Sequence, residues 1–87
     1  MDVRDLIGKL KSGVETPGDF VMLDFKGENL ARLTFRDKSF QGVEFSGCNM
    51  EDVRFVNCIF GSTNFSGATL DGAEFVDCLI SDGLEIK

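Results

Sequence analysis

A mark placed every five residues from Phe20 falls on Phe20, Phe25, Leu30, Phe35, Phe40, Phe45, Met50, Phe55, Phe60, Phe65, Leu70, Phe75 and Ile80. All thirteen positions are large and apolar, and all nine phenylalanines of the chain are among them. Nine Phe sharing one register of five arises by chance on the order of once in several hundred thousand sequences, so the period is a structural repeat. Neither regular element explains it. Five steps along an α-helix rotate a side chain by about 500°, which spirals successive Phe around the whole surface. Five steps along a strand put successive Phe on opposite faces. The chain must turn a corner in every repeat, so that each large residue points at one axis.

The residues around each large centre support this. Two positions before the centre, from residue 43 onward, stand Val43, Cys48, Val53, Cys58, Thr63, Ala68, Ala73 and Cys78, all small or medium in size. Two residues apart on a pleated segment, the small and the large residue share the inward side. Two positions after the centre stand Gly27, Gly42, Gly47, Gly67 and Gly72, with Asp37, Asp52, Asn57, Asp77 and Asp82 at others. A turn that needs positive φ at its third residue takes Gly or Asn at least cost, so the corner falls between one centre and the next small site.

The segments Cys48-Asn49-Met50-Glu51-Asp52, Thr63-Asn64-Phe65-Ser66-Gly67 and Ala68-Thr69-Leu70-Asp71-Gly72 resemble the pentapeptide-repeat family, whose motif reads Ala–Asp/Asn–Leu/Phe–x–x. The likeness runs over about residues 18–82, thirteen repeats. It implies an all-β solenoid: a right-handed quadrilateral parallel β-helix of about three coils, with four pentapeptides per coil and one on each side. Residues twenty apart then stack, giving the columns Phe20/Phe40/Phe60/Ile80, Phe25/Phe45/Phe65, Leu30/Met50/Leu70 and Phe35/Phe55/Phe75. Three of the four centres that are not Phe collect in one column, as expected if like packs on like. Phe rings at the strand spacing of roughly 4.8 Å are expected to stack with an offset. A stack of three and a quarter coils is only about 16 Å tall and needs covers at both ends.

Residues 1–17 are expected to form the first cover, a short capping helix and turn. Val3, Leu6, Ile7, Leu10 and Val14 recur at helical spacing, Asp2 stands at the N-cap, and Gly13 with Pro17 marks the stop. Residues 83–87 are expected to form a C-terminal tail. Ile80, Leu84 and Ile86 are the candidate residues of an apolar end, because the exposed end of a β-solenoid favours pairing with another chain. The family resemblance adds that members often dimerise there, so a homodimer through this end is expected. Glu28 and Lys38 stand at small inward sites of the first coil, where a buried charge is costly. Either that coil is irregular or the two side chains reach past its rim.

Charge narrows the function. The net charge is −6, with 15 acidic against 9 basic residues and no histidine. The imbalance lies wholly in residues 41–87, where eight carboxylates face Arg54 and Lys87. Like-charge repulsion disfavours nucleic acid and anionic membrane as partners. The absence of imidazole excludes the triads and zinc sites that depend on it. No run of apolar residues approaches the roughly 18–20 that cross a bilayer, and the charged N-terminus is unlike a signal peptide, so a cytoplasmic protein is expected. Cys48, Cys58 and Cys78 match no CxxC spacing and occupy small inward sites, where free Cys acts as a small hydrophobe. Cys58 and Cys78 stack one coil apart, with parallel side-chain directions that argue against a disulfide.

These observations describe a non-enzymatic module without cofactor or metal, acting through its surface on a protein partner that the residues do not name. Glu44, Glu51, Asp52, Asp71, Glu74 and Asp77 are the candidate acidic interaction surface. The resemblance supplies one alternative, an acidic mimic of duplex DNA that binds DNA gyrase, as some family members do. A second is a catalytic or redox role for Glu28 or Cys58, with no base or second carboxylate fixed nearby.

Overall fold

In the computed structural model, residues 2–82 are described. Helix α1 (Val3–Ser12) precedes seven short strands: β1 (Asp19–Val21), β2 (Thr34–Arg36), β3 (Ser39–Gln41), β4 (Arg54–Val56), β5 (Ile59–Gly61), β6 (Glu74–Val76) and β7 (Leu79–Asp82). The strands form two parallel sheets, β1-β3-β5-β7 and β2-β4-β6. Partners are twenty residues apart: Phe20 pairs with Phe40, Phe40 with Phe60, Phe60 with Ile80, Phe35 with Phe55 and Phe55 with Phe75. Two further ladders of single bridges, Asp24–Glu44–Asn64 and Asn29–Asn49–Thr69, complete four sides. The chain is thus a four-sided solenoid of about three coils, as the resemblance implies.

The corner lies where the sequence puts it. Every residue two positions after a centre, from Met22 to Asp77, has positive φ: Met22, Arg32, Asp37, Asp52, Asn57, Ser62 and Asp77 join Gly27, Gly42, Gly47, Gly67 and Gly72. The corners are of two kinds. After Phe25, Leu30, Phe45, Met50, Phe65 and Leu70 the centre's carbonyl accepts from the N–H three residues on, closing a β-turn at 3.0–3.2 Å. On the sides that lead into these turns, Asp24, Asn29, Asn49 and Asn64 each accept the N–H two residues ahead, at 2.9–3.2 Å. On the sheet-forming sides that position holds Asp19, Thr34, Ser39, Arg54, Ile59, Glu74 and Leu79. An Asn or Asp before the centre offers the backbone a local partner that competes with the ladder, and four of the five residues of that kind, all but Asp19, stand on the sides that are not sheet.

The core is the column of centres. Phe20 through Phe65, with Leu30 and Met50, are at most 1% exposed. Ring pairs Phe25–Phe45, Phe45–Phe65, Phe35–Phe55, Phe55–Phe75 and Phe40–Phe60 lie 5.0–5.2 Å apart with interplanar angles of 8–19°. That separation exceeds the rung spacing slightly, as an offset stack does. Phe20 departs from it, meeting Phe40 at 80°. No ring lies above Phe20 on the outer side, where the Lys38 ammonium sits 5.6 Å from its centroid. The last coil also departs from expectation: Leu70 is only partly buried, Phe75 is 41% exposed and Ile80 52% exposed. Among the described residues, these three centres have core on one side only.

Candidate interaction surfaces

The N-terminal rim is closed by α1. Asp2 caps it by accepting the Arg4 N–H at 3.0 Å, and Gly13 ends it at φ 76°. Leu6 and Ile7 are buried against the first coil, with Val3 and Leu10 partly buried beside them. Val14 is 53% exposed and does not belong to the packed face: the left-handed turn at Gly13 carries the chain off the helical stripe. Glu28 and Lys38 reach past the rim to this cap. The Glu28 carboxylate meets Arg4 Nε at 3.4 Å, and Lys38 Nζ donates to the carbonyls of Thr16 and Pro17 at 3.2 and 3.0 Å. Each misfit charge of the first coil thus holds part of the covering segment. An open groove of about 390 Å³ lies beside it, lined by Leu10, Val14, Thr34 and Arg36 among others.

The thiols are built into the coil. Cys48 Sγ donates to the Phe25 carbonyl at 2.9 Å, and Cys58 and Cys78 to those of Phe35 and Phe55 at 3.3 Å, each reaching the coil before its own. Burial pushes the Cys48 and Cys58 thiols above their ordinary pKa, because the thiolate would lose its water. All three cysteines are free; Cys48 and Cys58 are buried and Cys78 is half-buried.

The six acidic candidates do not form one column. Glu51, Asp52 and Asp71 gather on and beside the Met50–Leu70 side, linked by an Asp52 N–H bond to the Asp71 carbonyl at 2.9 Å. The Asp52 carboxylate lies over Gly72, where a Cβ would collide with it. Glu44 is on another side, accepting from Asn64 Nδ2 at 2.6 Å. Glu74 pairs with Arg54 at 2.8 Å. Asp77 stands at a further corner, below Asn57, whose amide donates to Asp37 at 2.7 Å. The register of twenty distributes acids that look clustered along the chain.

At the C-terminal end, Ile80 is on the rim, and Leu84 and Ile86 lie outside the described residues. A bulge between Phe60 and Gly61 shifts the register, so Gly61 pairs with Asp82. The repeat therefore breaks at Ser81, whose hydroxyl donates to the Phe60 carbonyl at 3.3 Å.

One surface is absent from the sequence reading. Val56, Val76, Ile59 and Leu79 project outward on the two sides that meet at Asn57 and Asp77; Ile59 is 46% and Leu79 61% exposed. The signal was present in the positions immediately beside the centres, which are outward and mostly polar. Among the described residues there is no group of three or more His, Cys, Asp or Glu placed to hold a metal ion, and no helix long and apolar enough to cross a membrane.

Four parallel ladders, a stacked aromatic axis and left-handed corners every fifth residue define a four-sided β-solenoid protein. The family model described as a pentapeptide repeat region matches residues 17–83, and the chain belongs to the pentapeptide-repeat family. No curated protein matches it.

Proposed function

We propose that this chain is a non-enzymatic protein-binding module of the cytoplasm that works through its outer surface and pairs with a second copy at its C-terminal end. The exposure of that end carries the reading. Phe75 and Ile80 are 41% and 52% exposed, whereas Phe55 and Phe60 directly above them are fully covered. The last rungs also present strand edges, and apolar residues beside an unpaired edge favour association. The uncrosslinked thiols suit a reducing compartment. Sedimentation equilibrium over a wide concentration range tests the pairing: the parent chain dimerises and the Ile80→Asp variant does not. A parent that stays monomeric at hundreds of micromolar sinks it.

One observation favours the DNA-mimic reading as a second choice. Glu51, Asp52 and Asp71 present exposed carboxylates on adjacent rungs of one side. A gyrase supercoiling assay at low and high salt decides this. Inhibition or protection that weakens with salt supports the mimic, and no effect at micromolar protein removes it.

A further inference from the structure

We propose that the first coil is a docking face for the C-terminal rim of a second copy of this chain, and that α1 lies on that face as an autoinhibitory cover. The inference goes beyond the pairing above: it joins unlike ends, so each added copy presents the same rim again and growth does not close. The hydrogen bonds between rungs carry it. On every side, the residue before a centre donates its N–H to the rung above: Ser39 to Gly18, Glu44 to Leu23, Asn49 to Glu28 and Arg54 to Leu33, at 2.8–3.1 Å. On the two sides without sheet its carbonyl accepts from the centre above, Glu44 from Phe25 and Asn49 from Leu30, both at 2.8 Å. Asp24 and Asn29 hold the same positions in the first coil. Both are exposed, and among the described residues neither has a backbone partner for its N–H or its carbonyl. At the other end the Ala68 carbonyl and the Leu70 N–H also lack one among the described residues. The cover therefore shields the rings of the first coil and leaves its strand edge open, and the last coil ends on the complementary edge.

The winding fixes the register. The thirteen centres end on the side where they began, with Ile80 in the column of Phe20. A copy docked in the same orientation collides with Ile80 there. After a half turn about the axis, it brings its Phe20, Phe25 and Leu30 under Leu70, Phe75 and Ile80, the three centres that are only partly covered. Its Asp19 N–H and carbonyl then face the Ala68 carbonyl and the Leu70 N–H. Its Asp24 comes below Glu74, a like-charge contact of the kind the chain already holds between Asp24 and Glu44. Both carboxylates are exposed there and screened by salt. Helix α1 occupies the place this copy needs, and its hold is slight. Of its ten residues only Leu6 and Ile7 are buried. Arg4 meets Glu28 at 3.4 Å, Lys38 holds Thr16 and Pro17, and residues 13–18 join α1 to β1 without helix or strand.

The test is sedimentation velocity of the full chain, with circular dichroism to confirm that each variant folds. Leu6→Asp loosens the cover, and its assemblies grow past the dimer as concentration rises, into rods visible by electron microscopy. Adding Ile80→Asp to Leu6→Asp raises the concentration needed for growth by at least about tenfold. Adding Ile59→Asp instead puts the same charge one coil inward, off the rim, and leaves growth intact. The Leu6→Asp/Ile80→Asp chain, labelled with a fluorophore, still binds the parent one to one, because its open first coil takes the parent's rim. Where Leu6→Asp does not fold, Arg4→Glu with Lys38→Met releases the polar fastenings and keeps the apolar face, and growth appears there at higher concentration. Growth that Ile80→Asp does not weaken is unspecific and overturns the proposal. So does self-pairing of the Leu6→Asp/Ile80→Asp chain, which joins like ends. A parent that dimerises through Ile80 while every loosened variant stays a dimer sinks the docking face and leaves the end pairing intact. A monomeric parent whose Leu6→Asp variant grows sinks the end pairing alone.

Discussion

The Lys38 ammonium donates to the Pro17 carbonyl at 3.0 Å, across 21 residues of chain, while standing over the Phe20 ring. A lysine at an inward site of the first coil is thereby converted from a burial cost into the fastening of the segment that covers the coil. Lys38→Met keeps the apolar stem and removes the donor. It is expected to lower stability by roughly 1–2 kcal/mol, the range for hydrogen bonds from a charged group that remains partly solvated. Amide exchange should speed up around Thr16 to Phe20 before it does at Phe45. Unchanged exchange there contradicts the fastening role.

Position along the axis decides what a phenylalanine contributes. Phe45 lies between Phe25 and Phe65 and is fully buried, whereas Phe75 has a ring on one side only and is 41% exposed. Phe45→Ala should cost about 3–5 kcal/mol and Phe75→Ala well under half of that, measured by urea unfolding. Equal costs would mean that the end of the stack is covered in solution.

The corners offer a conformational test free of packing. At Gly47, φ is 68° and an added Cβ would meet nothing closer than the Gly27 nitrogen at 4.0 Å. Gly47→Ala is therefore expected to destabilise by about 1–2 kcal/mol, from the left-handed backbone alone. Arg32 holds φ 65° with a long side chain, and Arg32→Gly should stabilise or be neutral. A shift of the opposite sign at both sites would refute the backbone account.

The thiols set a pH dependence. Burial raises the Cys48 and Cys58 pKa in the folded chain, so the folded state holds those protons longer than the unfolded state. Their contribution is complete below the unfolded thiol value of about 8.5 and is lost as pH rises through the folded values. Stability should fall between neutral pH and pH 10, and less steeply when both residues are replaced by Ala. Under native conditions a thiol reagent should label Cys78 first, with Cys48 and Cys58 reacting only on unfolding.

Much of this architecture was legible in the residues because a solenoid repeats its rules locally. The period of five located every centre, and Gly, Asp and Asn located most corners. Met22, Arg32 and Ser62 occupy the same left-handed corners without that signature, because neighbouring rungs impose the turn on whatever residue falls there. The difference between turn-closed and sheet-forming sides was partly written in the sequence, in Asp24, Asn29, Asn49 and Asn64, although Asp19 opens a strand and Glu44 and Thr69 precede turn-closed centres. It shows only once the columns are read side by side. The acidic residues were harder, because nearness along the chain is a poor guide to nearness on a coil: Glu74 and Asp77 lie three residues apart and belong to a side and to the corner that follows it.

The linear order of residues determined the winding, the axial column of rings and the burial of two of the three cysteines, since each depends on spacings of two, five and twenty that a solenoid preserves. Only the tertiary structure decided that Glu28 and Lys38 hold the N-terminal cover, that the carboxylates scatter, and that Val56, Val76, Ile59 and Leu79 lie on the two sides of one corner. Those outcomes depend on where side chains end in space after the chain has turned corners, and a side chain several ångströms long reaches across rungs that sequence distance keeps twenty residues apart.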